Sequence, residues 1–222
     1  LQRIGSLTTT ATVLVVLGAL AALLSIWASV AAEDPARELL AGDIDADTFI
    51  ERTAPYLLMS VVQGVLTLTG AVVVIIWMYR IAKNHRTLHR GGTWGPGWAI
   101  GGWFLPPLLY VIPTLMLREL WKASDPDVPV GGDWRSVRVS PLIPLWFVLY
   151  SIVPIVLLVA QSSTGLSSFG ASEEDLAEQI IDGRTMTFVA SLLTVAAAVV
   201  FLAIVRGLSR RHQALTGESV AE

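Results

Sequence analysis

The chain has 222 residues, of which 54% are hydrophobic and only 15% charged, against about 25% charged in a soluble domain; its mean hydropathy is +0.64. It contains no cysteine, which excludes disulfides, thiolate catalysis and Cys-based metal or iron–sulfur sites. Its net charge of −3 hides a strong asymmetry along the chain, and nucleic acid is not expected as a partner.

Taken in chain order, four long uncharged runs account for the hydrophobic excess, at about residues 7–32, 55–79, 141–160 and 185–206. Each has the ~20 residues needed to cross ~30 Å of hydrocarbon as a helix. The first run is longer than the 7–15-residue apolar core of a secretory signal, so it is expected to be an anchor despite the small residues Ala28-Ser29-Val30-Ala31-Ala32. Residues 33–54 follow, with seven acids against two arginines (Arg37, Arg52). Residues 161–184 carry five acids against Arg184. The other segments hold 12 of the 15 basic residues. By the positive-inside rule they are cytoplasmic, with both termini inside. Asp47 and Glu51, and the Ser172-Glu173-Glu174-Asp175 cap, predict short amphipathic helices in the two acidic segments.

A fifth apolar stretch interrupts the inner segment 80–140. The 27 uncharged residues from Gly91 to Leu117 contain six Gly and four Pro, and Pro106-Pro107 removes two consecutive backbone donors, so no single helix can hold them. A full crossing here would reverse the charge pattern of every later segment. The stretch is therefore expected to be interfacial or re-entrant on the cytoplasmic side, as two short helices broken at Pro106-Pro107 and docked at the inner leaflet. The exits of the second and fourth runs also look alike. Arg80 and Arg206 end them, and a basic cluster with one histidine (His85, His212) follows, which suggests a parallel two-fold internal repeat.

Few residues point to chemistry. His85 and His89 have metal-ligand spacing, but Lys83, Arg86 and Arg90 repel a cation, and a solvated basic juxtamembrane helix is the expectation. None of the spans contains a carboxylate, so no proton path is indicated. Ser60, Gln63, Thr67 and Thr69 predict hydrogen bonds between helices. Arg118 and Lys122, at i and i+4, are suited to a lipid phosphate. Arg80, Trp98, Trp103, Pro106, Arg118, Glu119, Trp121 and Lys122 are the candidate inner-leaflet cluster. In it Arg80 pairs with Glu119 beneath the indoles.

The segment Pro96 to Pro126 carries further information. Trp77 and Arg80, Gly97-Trp98-Ala99, Gly101, Trp103-Phe104, Pro106, Pro113, Glu119-Leu120-Trp121 and Ala123-Ser124 form a long, unusual pattern that resembles the actinobacterial membrane family called domain of unknown function 4328. The resemblance implies four spans, with the motif on the cytoplasmic side, and carries no activity. The chain departs from the family pattern at Leu109, where members often have Asn.

The reading that results is an all-α, multi-pass protein of the plasma membrane, without a cofactor or catalytic residues. It is expected to be a non-enzymatic accessory subunit or a lipid- or ligand-binding scaffold. Anionic headgroups, other membrane proteins or further copies of itself are the expected partners. A small transporter or channel built from two repeats is the alternative, and a membrane enzyme on a lipid or isoprenoid substrate the third reading.

Overall fold

A computed structural model of the chain describes residues 1–105, 108, 111–129, 131–152 and 172–218. Among the described residues every regular element is helical. Helix α1 (Gly5–Ala31) gives way at Ala32 to the short α2 (Glu33–Ala41). Gly42, at a left-handed φ of 78°, ends α2 and turns its N–H back onto Leu39 and Glu38 carbonyls, the usual glycine stop. Helix α3 (Ala46–Thr87) has 42 residues. Asp45 starts it by accepting the Thr48 N–H at 2.9 Å. Two short helices follow, α4 (Trp98–Gly101) and α5 (Ile112–Ala123), then a 3-10 turn at Trp134–Ser136. Helix α6 (Leu142–Phe147) continues as a π-helical turn, Val148–Ile152. The last helix, α7 (Glu173–Thr216), has 44 residues. A reciprocal box opens it: the Ser172 hydroxyl accepts the Asp175 N–H at 3.2 Å, and the Asp175 carboxylate accepts the Ser172 N–H at 2.8 Å.

Three helices are long and apolar enough to cross a membrane, Gly5–Ala41, Ala46–Thr87 and Glu173–Thr216, where the sequence predicts four. The third run is described only to Ile152, as the short apolar helix Leu142–Ile152, and its residues 153–160 lie outside the described residues. Within the three long helices the most apolar windows are only 22%, 6% and 28% buried by the rest of the chain. Val61, Val65, Leu68 and Val72 of α3 are all more than half exposed. Faces of this kind need an apolar surrounding. At 1.5 Å per residue α3 is about 63 Å long, roughly twice the ~30 Å hydrocarbon thickness. Only its apolar stretch, 55–79, is needed for a crossing.

The chain forms two compact units, and α1, α3 and α7 each contribute residues to both. One unit takes residues 17–67 and 154–196. Its core is small: Ala32, Ala36, Phe49, Ala177 and Ile180. All three arginines of the acidic segments are paired there, Arg37 and Arg184 with Glu33 at 2.8 and 2.7 Å and Arg52 with Glu38. Of the expected short outer helices α2 is one. Asp47 and Ser172 instead begin the long α3 and α7, which run without a break into apolar sequence because their first turns contain no stop. The hydroxyls of Ser60 and Thr67 bond the carbonyls of Tyr56 and Gln63 in their own helix and not a neighbouring helix. Gln63 Oε1 is buried without a partner.

The other unit takes residues 1–16, 68–153 and 197–222. Its core joins Ile4 and Ala11 of the N-terminal segment to Trp77, Met78 and Ile81 of α3, to Met116, Leu117 and Leu120 of α5, and to Ile204 and Leu208 of α7. The Trp/Gly/Pro stretch is not a single helix: α4 ends at Gly101 and α5 begins at Ile112. Pro106 and Pro107 themselves lie outside the described residues. The basic exit of α3 is solvated only in part: Lys83, Arg86 and His89 are exposed, whereas Asn84, His85 and Arg90 are buried.

Candidate functional site

The densest polar packing surrounds the string Glu119-Leu120-Trp121-Lys122-Ala123-Ser124-Asp125. Helix α5 spaces its apolar residues so that Ile112, Met116, Leu117 and Leu120 enter the core, which leaves the polar residues between them to reach other segments. The Glu119 carboxylate accepts the backbone N–H groups of Thr93 and Trp94, at 3.1 and 3.0 Å. Bonds to a charged acceptor contribute about 1.5–3 kcal/mol each. The loop comes this close only because residue 92 is glycine, since a β-carbon there would stand 2.1 Å from Glu119 Oε2. Gly102 allows a similar approach of α4 to α5, with the side chain of Ile112 2.4 Å from where a β-carbon would lie.

Each following residue of the string has its own partner. The Trp121 ring lies on Gly207 of α7, 2.8 Å from the position of an added β-carbon. Arg211, one turn further along α7, places its guanidinium 5.0 Å from the Trp121 ring and donates to Asp125 Oδ2 at 2.6 Å. Lys122 donates to the Arg135 carbonyl at 2.7 Å, and the Ser124 hydroxyl meets His85 Nε2 at 3.0 Å. Arg90, 7% exposed, donates to the carbonyls of Ala123 (3.2 Å), Asp125 (2.7 Å) and Val128. Carbonyls in the last turn of a helix lack internal donors, and a cation there also suits the negative end of the helix dipole. Arg90 therefore closes α5.

His85 and His212 lie beyond Arg80 and Arg206, where the apolar runs end. Their rings meet edge to face, with centroids 5.2 Å apart. The Asn84 amide donates to the Gln2 carbonyl at 2.8 Å and to His212 Nε2 at 2.9 Å, and its oxygen accepts the Gln2 N–H at 2.7 Å. With both amide hydrogens so placed, the proton of neutral His212 sits on Nδ1, which is buried without a partner. Burial lowers the pKa of both imidazoles well below the usual histidine range. Repulsion from His212, when that ring takes up a proton, and from the Arg90 guanidinium lowers His85 further, while the Glu218 carboxylate opposes the shift at His212. Glu218 also accepts the N–H groups of Ile4 and Gly5, both at 3.1 Å, and so caps α1 from the C-terminal segment. The indole N–H of buried Trp77 lies 3.2 and 3.3 Å from the hydroxyls of Thr8 and Ser209.

The expected cluster is thus only partly assembled. Arg80 donates to the Arg3 carbonyl at 3.0 Å, and among the described residues it forms no ion pair with Glu119, whose oxygens already serve the 93–94 backbone. The cation over Trp121 is Arg211. Trp98, 38% exposed, meets Trp94 edge to face at 5.4 Å, and Trp103 meets Tyr150 in the same way at 6.1 Å. Lys122 is turned to Arg135, away from the phosphate role expected with Arg118. Pro106 lies outside the described residues. His89 leaves the helix at a left-handed φ of 57°, so it shares no metal site with buried His85. The expected cluster did not include Asn84, Arg90, Ser124, Asp125, Arg211 or His212. The Ala123-Ser124 pair of the motif was the available signal for Arg90, which donates to the Ala123 carbonyl, and for Ser124, which meets His85.

The cavities separate structure from chemistry. The hollow between Arg90, Gly92, Glu119 and Trp134 holds about 10 Å³, room for at most one water. A groove of about 450 Å³ lies beside α5, with Thr114, Leu115 and Arg118 on one side and Pro141, Pro144 and Phe147 on the other. In the other unit, a groove of about 420 Å³ is lined by Ile26, Val30, Phe188 and Arg184. Among the described residues no group of three or more His, Asp or Glu is placed to hold a metal.

No curated protein and no solved structure matches the chain. The family model described as domain of unknown function (DUF4328) matches residues 42–210. That match takes in the Trp-rich motif and well over half of the sequence, and the chain belongs to this family.

Proposed function

We propose that this is a non-enzymatic multi-pass protein of the cytoplasmic membrane, acting as an accessory subunit or lipid-binding scaffold, with its basic segments and both termini on the inner side. The observation that carries the reading is how the charged side chains of the 85–125 region are spent. Arg90, Glu119, Lys122, Asp125 and Arg211 each bond backbone or one another, and among the described residues none of them meets a second reactive group at a cavity larger than a water. Such an arrangement makes a rigid platform, whereas a catalyst needs an acid, base or nucleophile facing substrate-sized space. The charge asymmetry of the sequence supports an inner-leaflet position for this platform.

The test is purification of the full chain in mild detergent, with proteins and lipids that accompany it quantified. A scaffold retains a protein or lipid partner in fixed ratio, and Glu119→Ala combined with Trp121→Ala lowers that ratio severalfold. Solute flux through vesicles containing the pure chain alone would contradict the reading. One observation favours the transporter alternative: His85 and His212, equivalent under the suggested repeat, meet ring to ring, as residues near a two-fold axis do.

A further inference from the structure

We infer that the groove beside α5 is a binding site for one membrane phospholipid with an anionic headgroup, its phosphate held by Arg118 and Thr114 and an acyl chain laid along the apolar wall. The inference rests on the inner-leaflet placement proposed above. Arg118 is exposed, and among the described residues it has no ion pair, hydrogen bond or ring contact. It is the cation of the string's helix that the platform does not use. Thr114, one turn earlier on the same face, is 6% exposed, and its hydroxyl is buried without any partner. Among the described residues the hydroxyl has no partner, and a ligand oxygen entering the groove would satisfy it. Both groups line the same groove of about 450 Å³, a volume within the usual range of small-molecule sites.

The rest of the lining selects the ligand class. Apart from Ser140, whose hydroxyl accepts the Leu142 N–H at 3.3 Å, the other lining residues, Val111, Leu115, Val139, Pro141, Pro144 and Phe147, are apolar. Val111, in the lining, is 42% exposed. A free phosphate gains nothing from such walls, whereas an acyl chain gains about 0.8 kcal/mol for each CH₂ removed from water. Arg118 supplies charge complementarity, with planar N–H donors suited to phosphate oxygens. Pro141 and Pro144 stand at the start of the third apolar run, so the groove joins a charged step to hydrocarbon-facing sequence.

Native mass spectrometry of the full chain, released from micelles containing equal phosphatidylglycerol and phosphatidylcholine, tests the site. The expected result is one retained phosphatidylglycerol per chain, favoured at least tenfold over phosphatidylcholine. Arg118→Gln removes that preference, and Thr114→Val weakens it severalfold. Leu115→Trp, which fills the groove, abolishes retention of both lipids. Excess inorganic phosphate leaves the retained lipid in place. The inference is overturned if Arg118→Gln keeps the preference, if Leu115→Trp keeps the lipid, or if inorganic phosphate displaces it. Thermal unfolding of each variant, with a midpoint near that of the parent chain, excludes misfolding as the cause of a loss. Cysteine labelling at position 127 separates the two failures: inner-side labelling with no lipid preference removes the lipid site alone, and outer-side labelling removes the topology with it.

Discussion

At the scale of single residues, glycine and carboxylate act together at positions 92 and 119. Glu119→Ala removes the acceptor for two backbone N–H groups, each bond worth about 1.5–3 kcal/mol, and is expected to destabilise the chain by about 3–6 kcal/mol. Gly92→Ala forces the carboxylate away from the loop and should also destabilise it. Because both changes break one contact, the double variant is expected to lose less than the sum, as measured by thermal unfolding in detergent; full additivity would show that the contact contributes nothing. Arg80→Ala and Glu119→Ala, in contrast, should add to within about 0.5 kcal/mol, since the two side chains serve different carbonyl and amide partners. The histidine pair predicts a pH dependence. The folded pKa values of His85 and His212 lie below the usual histidine value of 6.5. The unfolded chain therefore binds more protons as pH falls below about 6.5, and stability is lost in that direction. The unfolding midpoint should drop between pH 8 and pH 5, and His85→Gln with His212→Gln should flatten the slope. An unchanged slope would mean that the imidazoles are not held neutral by burial.

Among the elements, α5 carries the unit that contains it, docked by apolar residues on one side and by Trp121 on α7. Gly207→Ala places a methyl 2.8 Å from the Trp121 ring and is expected to cost about 1–3 kcal/mol. Trp121→Leu should relieve part of that cost, so that the pair is less than additive in the same unfolding measurement. Much of this element was legible in the sequence. Pro106-Pro107 required a break, and the apolar spacing from Ile112 to Leu120 required one buried face. The partner of Glu119 was not legible, because a single charged residue says nothing about which backbone will reach it. Gly91-Gly92 was the local trace, readable only after the close approach is seen. Buried Asn84, His85 and Arg90 were missed for a related reason. A run of basic and polar residues after an apolar stretch reads as solvated, and nothing in it reports that the chain's own N-terminal segment and α5 cover it.

On the scale of the whole molecule, the long helices were legible from uncharged run length alone. The third run is described only as the short helix Leu142–Ile152. Sidedness rests on charge: the acidic segments hold arginines that are all paired with acids, while the remaining 12 basic residues lie in the other segments. The absence of cysteine makes a direct measurement possible without background. Single cysteines at Glu51, Asp127 and Glu174, all exposed, are treated with a membrane-impermeant maleimide in intact cells and again after permeabilisation. The account predicts labelling of 51 and 174 in intact cells, and of 127 only after permeabilisation. Labelling of 127 in intact cells, with 174 protected, would contradict it.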